Sequence, residues 1–296
     1  MNSTPNYVVS EVRDAAAEGP DRSIGAILVK TGRLSQADSE RITRFQVERK
    51  MRFGDAALEL GLLTQADIEF ALSRQFDYPY LLAGESQISA DVVAAYEPFS
   101  SRVEALRGVR NQLMWRWFET GQNRRALAIT GAQRGDGRSF LAANLAVVFS
   151  QQGQRTLLID ADMRNPSQHQ LFSLENRSGL SAILAGRGNQ SAIQRVPGLL
   201  DLSVLTAGAT PPNPLELLGR PTFGQLLEEL VPQFDVILID TPASAENSDA
   251  QMVAVRAGAA MIVARQDGTA LQELDALVGL LQDARVHVVG TVLNNF

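Results

Sequence analysis

Between residues 126 and 293, six short runs rich in Val, Ile, Leu and Ala stand at 126–130, 156–160, 202–206, 236–240, 259–264 and 286–293. The segments between them are mostly long enough to hold a helix. Runs that are apolar at nearly every position belong to strands covered on both faces, as in a parallel sheet. Parallel neighbours need a crossover, and an intervening helix provides it. The expected fold class is therefore α/β, with a mainly parallel, doubly wound sheet.

The first run is followed by Gly131-Ala132-Gln133-Arg134-Gly135-Asp136-Gly137-Arg138-Ser139, with a helix starting near Phe140. Strand, glycine-bearing loop and helix N-terminus form the setting in which backbone N–H groups converge on a phosphate. Gly135 and Gly137 permit positive φ and close approach of the main chain, and Ser139 is placed to give its hydroxyl to Mg2+. The general phosphate-loop pattern is G-x-x-x-x-G-K-[ST]. Ala132 stands at its first glycine and Arg138 at its lysine, so the loop alone also reads as an ordinary tight turn. The second run ends Asp160-Ala161-Asp162-Met163-Arg164-Asn165-Pro166, and the fourth ends Asp240-Thr241-Pro242. Both place carboxylates at the carboxyl edge of the sheet, where open α/β sheets bind ligands. Such acids hold a magnesium ion through waters or take a proton from an attacking hydroxyl. A lone strand-terminal Asp more often caps a helix; these occur together with the loop.

The formal net charge of -6 lacks the broad positive field that nucleic-acid binding needs. No apolar run approaches the roughly 18 residues of a spanning helix, and residues 1–11 show no basic-then-apolar leader. A cytoplasmic protein without a transmembrane segment of its own is expected. There is no cysteine, which excludes disulfides and thiolate chemistry. His169 and His287 share no metal-ligand spacing and read as ordinary surface or core residues. Arg124-Arg125 reads as a solvated pair. Trp115 and Trp117 close a helical stretch over 101–118 and cannot both face one side of it. One is expected in the core and the other at an interface.

The N-terminal region repeats with an offset of 29, pairing Gly25 with Gly54, Gly32 with Gly61, Asp38 with Asp67 and Gln46 with Gln75. In each copy a short helix ends at a glycine and Ser35 or Thr64 then caps the next. Two copies of two helices form a small helical domain over 20–78, followed by a linker at 79–100 with at most one short helix and an ATP-binding domain over 101–296.

The stretches around Arg134 to Phe140, Asp160 to Pro166 and Asp240 to Pro242 resemble the Walker A, A′ and B motifs of bacterial tyrosine kinases, P-loop NTPases of exopolysaccharide and capsule assembly. More narrowly, the chain resembles the EpsG type of chain-length-determinant tyrosine kinase. The resemblance implies that Arg134, Gly135, Asp136, Gly137, Arg138, Ser139 and Phe140 cradle ATP. It makes Ser139, Asp160 and Asp240 the Mg2+ ligands, Asp160 or Asp162 the base for a tyrosine hydroxyl, and Arg138 part of the catalytic set. Asn294 falls at an adenine-contact position and reads equally as a polar strand end. Glu104, Arg107 and Arg110 match an E-x-x-R-x-x-R segment that implies a homo-oligomer interface; as residues alone they read as a solvated helix face. Residues 211–218 also resemble a family segment whose chemical role is not legible. The implied partner is a membrane chain-length-determinant protein, which puts the chain peripherally at the inner membrane. Arg138 replaces a compact ammonium with a planar fork. No tyrosine follows Tyr96, so the expected acceptor is Tyr7, Tyr78, Tyr80, Tyr96 or a tyrosine on another protein. A nucleotide-binding switch or scaffold, and a ParA- or MinD-like positioning ATPase, are the rival readings.

The repeat resembles the MshEN domain, the N-terminal unit of type II secretion ATPases, which implies cyclic di-GMP binding. Arg22, Gly25 and Gln46 in copy one and Arg52, Gly54 and Gln75 in copy two are the implied contacts. Copy one departs from the motif, with Ser23 at the arginine position and Ser39 and Thr43 at leucine positions. A purely structural docking domain is the alternative.

Overall fold

A computed structural model describes residues 23–75, 80–81, 84, 86–121 and 124–295. The chain divides into two compact units, Met1–Tyr78 and Pro79–Phe296. Arg22, Tyr7 and Tyr78, singled out above, lie outside the described residues.

The first unit holds α1 (Ile24–Lys30), α2 (Gln36–Arg49), α3 (Phe53–Glu59) and α4 (Gln65–Gln75). Ser35 and Thr64 stand where the repeat predicts caps, Thr64 accepting from Asp67 N–H at 3.3 Å. Ser23 and Ser35 accept from Ala26 and Asp38 N–H at 3.2 and 3.1 Å, and Gly32 and Gly61 turn the chain at φ of 73° and 64°. α1 packs on α4 and α2 on α3, so each copy supplies half of the other's core. Leu28, Ile42, Ala56, Ile68 and Phe70 fill that core. Gly25 sits where helices meet closely: a Cβ there would lie 2.9 Å from Ser39 Oγ and 3.2 Å from the Phe53 ring.

The second unit begins with α5 (Val93–Tyr96) and α6 (Ser101–Leu113). The stretch expected to be a linker is instead packed into this unit. Val92, Val93, Ala94 and Ala95 are buried in its core. One helical turn gives too few residues for an apolar rhythm to show in the sequence, which is why the stretch reads as a connector. After α6 the chain makes a π-helical turn, Met114–Phe118. That turn separates the tryptophans: Trp115 is 64% exposed, whereas Trp117 is buried, donates its indole N–H to the Ala126 carbonyl and stacks on His287. The arginine pair has partners as well, Arg124 lying over the Trp117 ring and Arg125 donating to the Asp235 carbonyl.

The sheet comprises β1 (Ala126–Gly131), β2 (Thr156–Asp160), β3 (Gln194–Arg195), β4 (Leu202–Leu205), β5 (Val236–Asp240), β6 (Ala259–Arg265) and β7 (His287–Asn294), in the order β3-β4-β2-β5-β1-β6-β7. All pairings are parallel except that of β3. β3 is two polar residues long and escapes any hydrophobic pattern. The helices α7 (Arg138–Ser150), α8 (Gln168–Leu171), α9 (Leu180–Leu184), α10 (Pro214–Gly219), α11 (Pro221–Leu230), α12 (Asp249–Ala257) and α13 (Leu271–Asp283) connect the strands. Two apolar clusters form the core, one including α5, α6 and α7, the other α9 to α13. α7 lies buried along most of its length, and its Asn144 ties down the α5 segment, accepting from Ala94 N–H at 2.9 Å and donating to the Asp91 carbonyl at 3.0 Å.

Candidate nucleotide site

The strand register assembles the site. β5 lies between β1 and β2, with Asp240 paired to Ile129 on one side and to Asp160 on the other. The two strand-end acids therefore stand side by side at the carboxyl edge, next to the loop that leaves β1. That loop turns through Gly135 and Gly137, at φ of 82° and 91°, into the N-terminus of α7. Positive φ at both positions leaves glycine as the residue without strain. Backbone N–H groups at such a turn and helix start are free to face an anion.

The side chains of the loop brace it from beneath. Asp136 is 1% exposed, accepts from Gln133 N–H at 2.8 Å and from the Thr269 hydroxyl at 2.7 Å. Its carboxylate is thus committed to the fold. Arg138 is buried too, with Nε donating to the Thr241 carbonyl at 3.0 Å and Nη1 to the Gln133 carbonyl. Ala132 is 2% exposed under the chain that follows β5, where Ala245 N–H bonds its carbonyl. Arg134 is exposed and pairs with Glu246 at 2.9 Å. Asn294 donates to the Asp136 carbonyl at 3.2 Å, which brings the end of β7 onto the loop. Beside it, a cleft of about 410 Å3 opens between α6, the start of α7 and β7. Leu106, Val109, Phe140, Val292 and Asn294 are among its walls.

Asp160 has no exposed surface; Oδ1 accepts from Asp162 N–H and Oδ2 from Ser167 and Gln168 N–H, all at 3.0–3.1 Å. It holds the start of α8, so the capping role open to a strand-end Asp is realised here. Burial, and then the neighbouring Asp240 charge, push its carboxyl well above the usual carboxylate range. Burial likewise raises Asp240 to about 6, opposed by hydrogen bonds from Gln168 and Ser139 and by the Arg138 charge. Asp162 turns the next residues, accepting from Arg164 and Asn165 N–H.

Sequence reasoning missed two residues here. Gln168, fully buried, donates to Asp240 Oδ2 at 2.7 Å and to the Ser139 carbonyl at 3.1 Å. Asp249, also fully buried, receives a two-pronged bond from Arg164 at 2.7 and 3.1 Å. The only available signal was that each lies a few residues beyond a strand-end acid.

The donor set fits a hydrated magnesium ion. Asp240 Oδ1 is buried without a hydrogen-bond partner, and the Ser139 side chain acts to lower the pKa of that carboxyl. Among the described residues, no three His, Cys, Asp or Glu side chains converge as a direct metal cage. Mg2+ usually keeps several waters and takes few protein ligands alongside phosphate.

The remaining predicted residues fall on other elements. On α6, Arg107 bonds Glu104 at 3.0 Å and the Pro98 carbonyl at 2.6 Å, while Arg110 reaches the Val148 carbonyl at 3.0 Å. In the first unit, Gly25 and Gly54 lie in α1 and α3, Arg52 is exposed at the start of α3, and Gln46 and Gln75 are half-buried in α2 and α4. No described helix is long and apolar enough to cross a membrane.

Comparison with known proteins agrees with the fold. The ParA family model, described as NUBPL iron-transfer P-loop NTPase, matches residues 122–296. CapB of Staphylococcus aureus, named as a tyrosine-protein kinase, is 38% identical over 67% of this chain and 86% of that protein. The tyrosine-protein kinase Etk of Escherichia coli K12 is 37% identical over 68% of this chain, and the match spans 28% of Etk. The solved kinase domain of Etk superposes with a TM-score of 0.66 at 36% identity, over 69% of this chain and 79% of that one. MinD of Pyrococcus horikoshii OT3, solved with Mg-ADP, shares the fold at 22% identity and a TM-score of 0.51, over 57% and 70% of the two chains. The chain belongs to the bacterial tyrosine-kinase family, whose catalytic domains share the ParA-like P-loop NTPase fold.

Proposed function

We propose that the chain binds ATP with Mg2+ at this edge and transfers the γ-phosphoryl group to a tyrosine hydroxyl as part of exopolysaccharide polymerisation and export. The observation that carries this reading is that Ser139, at the end of the phosphate loop, lies by two buried strand-end acids whose carboxyls burial raises, one of which keeps an oxygen unpartnered. The N–H groups of residues 135–139 bind the phosphates, and the cleft beside Phe140 and Asn294 takes the base. Ser139 and Asp240 hold the metal, with Asp160 behind them. When bound, Mg2+ neutralises charge developing on the transferred phosphoryl group. Asp160 or Asp162 accepts the proton leaving the tyrosine oxygen as the new P–O bond forms and the bond from the γ-phosphorus to the bridging oxygen breaks, releasing ADP. Tyr96 is a poor acceptor, since its hydroxyl donates to the Ile88 carbonyl at 2.6 Å and the ring is half-buried. That leaves Tyr7, Tyr78, Tyr80 or a tyrosine on another polypeptide as the acceptor.

The finer reading includes a cytoplasmic chain, peripheral at the inner membrane through a membrane chain-length-determinant partner, and homo-oligomers joined through the exposed Glu104 side of α6. Cyclic di-GMP binding by the helical unit is the regulatory part of the proposal, supported by the repeat and the exposed Arg52. A titration calorimetry trace with no heat from cyclic di-GMP would remove that part alone.

One observation favours a second reading, a nucleotide-binding switch with little turnover: Arg138 has Nε and Nη1 committed to backbone carbonyls. The MinD-like fold keeps a positioning ATPase in view as a third, for which liposome co-sedimentation is the test. The main reading predicts magnesium-dependent binding of fluorescent ATP analogues that Asp240→Ala abolishes. Equal binding by that variant would remove the assignment.

A further inference from the structure

Gln168 joins the three motifs of the site. Its Nε2 donates to Asp240 Oδ2 at 2.7 Å and to the Ser139 carbonyl at 3.1 Å, and its backbone N–H donates to Asp160 Oδ2 at 3.0 Å. The residue has no exposed surface, yet its Oε1 has no hydrogen-bond partner among the described residues. Asp240 Oδ1 is in the same condition. Two side chains bonded to each other thus each carry a buried, unanswered acceptor. Leaving such a group without a donor is costly, and the bond that joins the two side chains points to one shared source of donors. A cation carrying its own waters supplies several at once.

We propose that Gln168 is a positioning residue for the metal half of the nucleotide site. Nε2 fixes the Asp240 carboxylate, and Oε1 accepts from a water of the magnesium ion. The inference rests on the Mg-ATP reading above. It differs from a structural brace between α8 and the phosphate loop, a role that requires Nε2 but not Oε1.

The test separates metal from nucleotide. Mn2+ binding to the ADP complex is followed by electron paramagnetic resonance, and ADP binding in EDTA by fluorescence of a labelled ADP. Gln168→Met keeps length and approximate volume without polar atoms. It is expected to weaken Mn2+ about tenfold, in the range for groups that orient a metal's surroundings, while metal-free ADP affinity stays within twofold. Gln168→Glu keeps an acceptor oxygen but loses the Nε2 donor to Asp240, and is expected to bind Mn2+ with an affinity between those of wild type and Gln168→Met. Unchanged Mn2+ affinity in Gln168→Met overturns the inference, as does a parallel loss of metal-free ADP binding. Loss of Mn2+ in Gln168→Glu as severe as in Gln168→Met also overturns it. If wild-type protein binds no Mn2+ with ADP, the parent reading fails instead.

Discussion

Arg138 stands where the general phosphate-loop pattern has lysine, and its stem runs beneath the loop: a Cβ added to Gly131 would lie 3.1 Å from Arg138 Cδ. Its fork reaches two backbone carbonyls at once, Gln133 in the loop and Thr241 after β5. A lysine ammonium is a single point on a shorter stem. Arg138→Lys is therefore expected to leave one carbonyl unanswered and to lower stability by about 1–3 kcal/mol, read as a fall in the thermal midpoint; an unchanged midpoint would remove the bracing role. Asp240 sets a pH dependence. Its folded carboxyl is raised to about 6, above the ordinary value, so the folded state holds its proton longer than the unfolded state does. The stability this contributes is full below the unfolded value and is lost as pH rises through about 6. In EDTA, urea midpoints should fall as pH rises from roughly 4 to about 6, and Asp240→Asn should lessen that fall. Asp160 and Asp240 were legible in the sequence because an acid ending an apolar run is conspicuous. Gln168 was not, because its burial depends on how the chain turns after Asp160.

At the level of elements, the chain beyond β2 is held by ion pairing as well as by capping. Asp249 opens α12 without any exposed surface, and among the described residues Arg164 is the cation that bonds it, with Nε and Nη2. Removing one partner leaves a buried charge, which typically costs 3–5 kcal/mol; Arg164 is 37% exposed, so water softens the loss. Arg164→Ala is expected to destabilise by about 2–3 kcal/mol and Arg164→Ala/Asp249→Leu by less. Chemical denaturation of the two variants checks this, and equal losses would contradict it. The parallel strands were legible as continuous apolar runs, whereas β3 was not, since pairing with β4 rather than composition makes it a strand. The helical stretch over 101–118 was also legible, but its π-helical turn was not.

Across the whole molecule, the boundary between units is the clearest revision. Residues 88–96 are bound to α7 through Asn144 and Gln151 and carry part of the core of the second unit. A fragment starting at Pro79 is expected to melt cooperatively and to bind ATP. A fragment starting at Ser101 lacks Ile88 and Val92 to Ala95, and should melt at least several degrees lower, since a loss of 1 kcal/mol shifts the midpoint by roughly 2–4 °C in a domain of this size. Equal midpoints would restore the linker reading. The two-domain organisation itself was visible because a repeat and an alternating α/β pattern have different periods. The central claim, that the strand-end acids drive phosphoryl transfer, is tested most directly by incubating the purified chain with Mg2+, γ-phosphate-labelled ATP and a tyrosine-containing polypeptide. The account predicts label on tyrosine in the wild type and none with Asp160→Ala. Label that stays in ATP or appears only as free phosphate, or that Asp160→Ala transfers undiminished, would contradict it.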